Sequence, residues 1–119
     1  MLRRFILHHH TPRNGTPHYD LRFEDRYDPK LLHSFACPKN FLDTMNDRSI
    51  IYKTRDHGNH WIELKSYRLE TIDEGMVDIM ASSKKYFKLV FKGKKLKGAY
   101  VLFRNQNARR EDVWVFKKL

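Results

Sequence analysis

Apolar and polar residues alternate from Pro17 to Glu24. Successive side chains of a β-strand point to opposite faces, so a strand here has one apolar face and one polar face. The apolar side chains are those of Tyr19, Leu21 and Phe23. The polar side chains are those of His18, Asp20, Arg22 and Glu24. The alternation therefore predicts a strand over residues 17–24 that packs one face on a core and keeps the other for chemistry.

A second strand is predicted over residues 2–9, where an apolar run leads into three consecutive histidines. The connecting residues 11–16 contain Asn-Gly and a nearby proline, which are turn signals. The two strands are therefore expected to form a hairpin. Such a hairpin brings His10 back beside His18 and Asp20.

Short stretches rich in β-branched and aromatic residues continue to the end of the chain, with turn residues between them. Residues 40–47 predict one or two helical turns, residues 54–60 a loop, and residues 73–75 a turn before the next strand. Strands are predicted at residues 31–37, 49–53, 61–67, 76–82, 86–92, 96–104 and 113–116.

This succession predicts an all-β fold, which is either a sandwich or a small closed or partly closed β-barrel of about eight strands with one or two short helical turns. A barrel is favoured because closure removes the exposed edges that a small basic protein would otherwise have to protect.

Length and charge narrow the class of protein. The 119 residues suffice for one core, which predicts a single domain over residues 1–119. The 24 lysines and arginines outnumber the 14 aspartates and glutamates, and the formal net charge is +10. Because such a charge attracts polyanions, nucleic acid is the expected partner.

Cysteine content and hydropathy bear on location. The single cysteine, Cys37, cannot form an internal disulfide and is typical of a reducing compartment. No run reaches the roughly 18 apolar residues of a membrane span, and no apolar signal core follows Arg3 and Arg4. We therefore expect a soluble cytoplasmic protein that does not contact membranes.

The polar face of the strand at residues 17–24 carries groups that suit a metal and a phosphate. Same-face neighbours lie roughly 7 Å apart, so His18 and Asp20 are able to converge on one divalent ion. Arg22 follows one step further and offers a planar fork that matches two phosphate oxygens. The alternative is an ordinary solvated face, in which Arg22 pairs with Glu24 or Asp25.

Six motifs, taken in order along nearly the whole chain, resemble the 3′-phosphoesterase domain of bacterial DNA ligase D, including stand-alone members of that family. The motif His-Tyr-Asp-x-Arg by itself is moderately specific for that family. Its occurrence in order with the other motifs is much more specific. The motifs are Phe5–His10, His18–Arg22, Ser34–Lys39, Asp56-His57, Leu96–Gly98 and Trp114–Lys117.

The resemblance implies a compact β-barrel whose polar interior holds a metal-dependent site for DNA 3′ ends. Members of that family remove a 3′-terminal ribonucleoside as phosphodiesterases and the remaining 3′-phosphate as phosphomonoesterases, which leaves a 3′-hydroxyl. The implied metal is Mn²⁺, although two imidazoles and a carboxylate also suit Zn²⁺ or Fe²⁺. The implied partners are primer-template duplexes that end in a ribonucleotide or a 3′-phosphate, with a DNA ligase or polymerase as a possible companion.

The resemblance also implies roles for single residues. It makes His10, His18 and Asp20 the metal ligands. It makes Arg22 and His57 the residues that hold the scissile phosphate, with His57 acting as an imidazolium or protonating the leaving oxygen. A solvated loop histidine is the alternative for His57.

Further basic contacts to phosphate are implied at Lys39 and Arg48, and His8 stands at a glutamine position of the family as another candidate contact. The choice between His9 and His10 as ligand stays open, because the loop that follows is longer than is common in the family. Trp61 replaces a tyrosine, which leaves the relative diesterase and monoesterase activities open.

Two other classes of protein fit parts of the pattern. A non-catalytic nucleic-acid-binding barrel accounts for the charge and the aromatic residues. A non-haem Fe(II) oxygenase also uses two histidines and a carboxylate, which His18-x-Asp20 and a distant histidine supply. The first would bind DNA regardless of chelators, and the second would consume oxygen with Fe(II) and an oxoacid.

Overall fold

The computed structural model describes residues 1–58 and 68–119, and within them β-strands dominate. One short helix, α1 (Phe41–Thr44), occurs in these ranges, and no described helix is long or apolar enough to cross a membrane. The strands are β1 (Leu2–His10), β2 (His18–Glu24), β3 (Leu31–Cys37), β4 (Arg48–Lys53), β5 (His57–Gly58), β6 (Leu69–Ser83), β7 (Tyr86–Lys92), β8 (Lys97–Arg104) and β9 (Val113–Lys118). The all-β prediction is confirmed.

Eight of these strands close into an antiparallel barrel. Around the ring the order is β2-β1-β6-β7-β8-β9-β4-β3, and the pairing of β3 with β2 completes it. The two-residue strand β5 adds to β3 beside β4. The closed barrel, rather than the sandwich, is therefore the fold, and closure gives each barrel strand a partner on both sides.

Apolar side chains fill the interior of the barrel. Phe5 and Phe23 reach across it to the rings of Phe91 and Phe87 at centroid distances of 5.0 and 5.1 Å, both edge to face. A polar interior, as the resemblance implied, is therefore wrong. Because strand residues alternate between faces, the polar residues of β2 lie on the outer face of the wall, opposite this core, although Asp20, Arg22 and Glu24 are themselves buried there.

The extent of β6 differs from the sequence prediction. Residues 73–75 were expected to form a turn, but they lie inside a strand that already begins at Leu69. The carboxylate of Asp73 accepts hydrogen bonds from the backbone N–H groups of Lys94, Lys95 and Leu96. A residue that signalled a turn thus stabilises the turn between β7 and β8 rather than one of its own.

The segment around His57 also differs from prediction. Residues 54–60 were expected to form a loop, yet His57 and Gly58 pair with Leu32 and Leu31 as β5. The strand predicted for residues 61–67 lies outside the described residues. This short pairing attaches His57 to β3, two strands away from β1.

Candidate metal and phosphate site

The β1–β2 hairpin places three potential metal ligands on one outer face of the barrel. His10 is paired with His18, and both share that face with Asp20. His9 points to the other face, where its ring lies 5.0 Å from that of Tyr19. The register therefore assigns His10, and not His9, to the cluster.

The donor atoms of the cluster are close enough to share one ion. Potential ligand atoms of His10, His18 and Asp20 all lie within 4.8 Å of one another. His10 Nδ1 is 3.2 Å from Asp20 Oδ2, and His18 Nε2 is 3.2 Å from Asp20 Oδ1. Ligands on one ion at about 2.0–2.2 Å are at most about 4.4 Å apart, so small side-chain adjustments suffice. Three protein ligands with open positions are the usual form of a catalytic metal site.

The hydrogen bond at Nδ1 of His18 leaves the other ring nitrogen, Nε2, for coordination. The Nδ1–H donates to the carbonyl oxygen of Thr16 at 3.0 Å, so in the neutral ring Nε2 carries the lone pair. That lone pair faces a carboxylate oxygen of Asp20. The two acceptor atoms, His18 Nε2 and Asp20 Oδ1, repel each other at 3.2 Å unless a proton or a metal ion lies between them. A backbone partner for the second ring nitrogen is also what metal-binding histidines commonly have.

Arg22 is fixed beside the cluster. Its side chain is buried, with Nη2 3.4 Å from Asp20 Oδ2 and Nη1 donating to His8 Nδ1 at 3.1 Å. Burial and then the positive charge of Arg22 lower the pKa of His8 to about 4, so His8 is neutral at pH 7. A guanidinium held on two sides has few alternative orientations and is preorganised for an anion.

His57 lies on β5, and charged groups of the cluster act on it. Burial lowers its pKa, and the positive charges of Arg22 and Arg55 lower it further, while Asp56 and Asp20 oppose them. A phosphate bound near Arg22 would favour the charged form of His57. His57 is thus able to take up a proton when an anion arrives.

The resemblance implied two further basic contacts to phosphate, Lys39 and Arg48, and the structure places them in different parts of the barrel. Lys39 is exposed and follows the end of β3, where Cys37 pairs with Tyr19 next to His18 in the chain. Lys39 is therefore at the same end of the wall as the cluster.

Arg48 was expected to contact the phosphate, but the structure places it on the outer face of β4, paired with Lys117 of β9. There it lines a cleft with Phe103 and Arg104. The structure thus groups Arg48 with β8 and β9, and not with the β1–β2 hairpin. The sequence carried no information on which strand pairs with β4, so this difference was not foreseeable.

A chain of acidic and basic groups next to His57 was not predicted. His33 Nε2 is 2.7 Å from Asp25 Oδ1, and His33 Nδ1 is 3.5 Å from Asp56 Oδ1. Lys53 Nζ lies 2.5 Å from the same oxygen of Asp56. These contacts attach the residue before His57 to β3. Their members come from separate segments, and the Asp56-His57 motif was the one sequence signal that pointed to this neighbourhood.

No protein-family model matches the chain, and no curated protein matches it significantly. The resemblance to the phosphoesterase family therefore rests on motifs, and the function has to be argued from the geometry of the site.

Proposed function

We propose that the chain is a metal-dependent phosphoesterase that repairs the 3′ ends of DNA. The observation that carries this proposal is the convergence of His10, His18 and Asp20, with the guanidinium of Arg22 3.4 Å from the same carboxylate. Phosphate ester hydrolysis needs positive charge on the phosphoryl oxygens and an activated nucleophile. A metal ion held next to a buried guanidinium would supply the positive charge, and the ion would also activate a water molecule as the nucleophile.

The residues present fit a divalent transition metal. His10, His18 and Asp20 would hold it, and two imidazoles with one carboxylate suit Mn²⁺, the metal implied by the motifs, as well as Zn²⁺ or Fe²⁺. The hydrogen bond from His18 to Thr16 supports this fit, because it keeps Nε2 available for coordination. When bound, such an ion polarises the phosphate and lowers the pKa of water to the range in which hydroxide forms at neutral pH.

Arg22 binds and orients the phosphate. Its fork offers N–H donors in the plane that two phosphate oxygens require, and its contacts with Asp20 and His8 keep that plane fixed. Among the described residues, the buried Nε2 of His8 has no hydrogen-bond partner. Because neutral His8 accepts at Nδ1, Nε2 carries a proton, and a phosphate oxygen is an acceptor that would satisfy it.

His57 supplies the proton for the leaving oxygen. Burial and then the neighbouring arginine charges lower the pKa of His57 and favour the neutral ring, and a bound phosphate would favour the protonated ring. An imidazolium near a phosphate is a general acid of suitable strength at neutral pH. Exposed Lys39 adds a contact to the adjoining DNA backbone.

The substrate is a DNA 3′ end that cannot be extended or sealed, such as a primer-template end with a terminal ribonucleotide or a 3′-phosphate. In the diesterase step, water replaces the 5′ oxygen of the terminal ribonucleoside and leaves a 3′-phosphate. In the monoesterase step, water releases that phosphate and leaves a 3′-hydroxyl. The net charge of +10 supports a polyanionic substrate. The free, buried Cys37 is in keeping with a reducing cytoplasm, where a ligase or polymerase would use the product.

The test uses two labelled primer-templates, one ending in a single ribonucleotide and one in a 3′-phosphate, each with Mn²⁺, Zn²⁺ or EDTA. We expect a shortened or dephosphorylated product with metal and none with EDTA, and loss of turnover in Asp20→Ala. Folded protein that leaves both ends unchanged with every metal would contradict the proposal. Oxygen uptake with Fe(II) and an oxoacid would favour the oxygenase instead.

A further inference from the structure

A cleft of about 440 Å³ lies on the outer wall formed by β7, β8, β9 and β4. Among the described residues, the lining comes from the start of β4, the β6–β7 turn, the start of β7, the end of β8, the loop that follows β8, and β9. Cations, aromatic rings and side-chain amides dominate the lining. The residues are Arg48, Lys85, Tyr86, Phe103, Arg104, Asn105, Gln106, Asn107 and Val115, and this set is called the basic cleft below.

The basic cleft carries three cationic side chains that have no acidic partner within residues 1–58 and 68–119. Arg48, Lys85 and Arg104 take part in no ion pair with any described residue, and no carboxylate lines the cleft within the same part of the chain. Elsewhere arginine side chains are engaged, as Arg22 and Arg110 are by Asp20 and Asp112. Like charges that face one cleft repel each other, and an anion between them removes the repulsion.

Two aromatic rings form a platform inside the basic cleft. Tyr86 and Phe103 are paired residues of β7 and β8, so their side chains stand next to each other on the outer face. Both are only partly buried. Rings of this kind stack on nucleic acid bases, which is favourable with any base because every base has a π-face.

The positive surface continues beyond the basic cleft. Lys85 and Arg104 also line an adjoining cleft of about 300 Å³, together with Lys84 and with Lys53, which pairs with Asp56. Within the described part of the chain, Glu111 is the acidic residue that lines this second cleft. Two neighbouring clefts that share cations fit a chain of phosphates better than a single small anion.

We propose that the basic cleft binds an unpaired nucleic acid strand, with phosphates on Arg48, Lys85 and Arg104 and bases stacked on Tyr86 and Phe103. A single strand is the ligand these features favour, because a duplex hides the faces of its bases and would use the cations alone. The amides of the loop after β8 offer donors and acceptors to base edges. This surface does not involve the metal ligands, so it stands independently of the phosphoesterase proposal.

Binding of a labelled oligothymidylate is measured by fluorescence anisotropy in EDTA, with a duplex of equal length for comparison. We expect the single strand to bind more tightly than the duplex. Tyr86→Ala and Phe103→Ala should each weaken single-strand binding about tenfold, while Tyr86→Phe keeps the ring and the affinity. Arg48→Ala should reduce the slope of log K against log salt by about 0.7, the share of one phosphate contact.

Lys92→Ala is the matched control, because exposed Lys92 lies on the same strand as Tyr86 but roughly 20 Å away. It should leave single-strand affinity nearly unchanged. Circular dichroism and thermal unfolding verify that each variant is folded. Equal affinity for duplex and single strand, or unchanged affinity in folded Tyr86→Ala and Phe103→Ala, would overturn the proposal. Lys92→Ala weakening binding as much as Arg48→Ala would also overturn it, since binding would then follow total charge.

Discussion

At the scale of single residues, alternation in β2 was enough to predict which side chains share a face. His18, Asp20 and Arg22 lie together on the outer wall, as their spacing required. The same reasoning was unable to choose between His9 and His10, because strand parity assigns a face only once the hairpin register is known. Register depends on the turn geometry and on the packing of both strands, which no local pattern specifies.

The pairing of His10 with His18 leads to a prediction about ion binding. His10→Ala should weaken Mn²⁺ binding by more than about 100-fold, because removing even an outer partner of a ligand typically costs 10–100-fold. His9→Ala is the matched control, since the His9 ring packs against Tyr19 on the other face. Isothermal titration calorimetry measures both. Equal losses in the two variants would contradict the assignment of His10.

Arg22 allows a separate test of phosphate recognition. Arg22→Lys keeps the charge but loses the planar fork, so kcat should fall by about 100-fold, the usual effect of removing one fixed donor from an anion-stabilising site. Binding of Mn²⁺ should weaken far less than in His10→Ala, because Arg22 is not a ligand and the lysine keeps a positive charge beside the carboxylate of Asp20. Arg109→Lys, at an exposed position, provides the control. Steady-state kinetics on a 3′-phosphate end compare the two variants. Full activity of Arg22→Lys would contradict a role for the Arg22 guanidinium in binding the phosphate.

At the scale of elements, the sequence predicted strands well where their neighbours in the chain are also their partners. The β1–β2, β7–β8 and β8–β9 hairpins follow this rule. The prediction from the sequence failed for β6, whose first half pairs with β1, a strand far away in the chain. Asp73 and Gly75 resemble turn residues locally, and the long-range pairing that overrides them is not encoded in their neighbourhood.

The role of Asp73 predicts how stability depends on pH. Burial by itself raises the pKa of Asp73, but four backbone N–H donors, those of Leu96, Lys94, Lys95 and Glu74, outweigh it and lower the pKa. A carboxylate whose pKa is lower in the folded state stabilises fully above its unfolded value of about 3.9, and this stabilisation is lost as the pH falls through the folded pKa.

Asp73→Asn should therefore reduce the free energy of unfolding by about 2 kcal/mol at pH 7, the scale of hydrogen bonds to a charged group. The difference from wild type should shrink as the pH falls below about 4. Urea unfolding at several pH values measures it. Glu74→Gln, at the exposed next residue, should stay within about 0.5 kcal/mol of wild type. A difference that is constant with pH would show that the charge of Asp73 is not the cause.

At the scale of the whole molecule, the barrel was predictable from short strands and turn signals, which favour closure. The alternation in β2 also predicted that its apolar residues face the core. Only the resemblance implied a polar interior. The interior is instead filled with aromatic and aliphatic side chains such as Phe5, Phe23 and Phe91. The polar faces of β1 and β2 then have to lie on the outer wall.

This arrangement means that a bound ion would connect two strands of a cooperative barrel. The ligands His10, His18 and Asp20 belong to one hairpin, and they are held in register only while the barrel is folded. Mn²⁺ at about 100 times its dissociation constant should add about 2.7 kcal/mol to the free energy of unfolding. For a chain of this length that is a rise in Tm of about 10 °C.

Because a small domain unfolds as one unit, the whole transition should move, as measured by both circular dichroism and tryptophan fluorescence. His9→Ala should show the same rise as wild type, and Asp20→Ala should show none. If only one of the two signals moved, the ion would stabilise the hairpin without the barrel. If Asp20→Ala moved as far as wild type, the ion would bind elsewhere on the molecule, and the cluster would have no part in holding it.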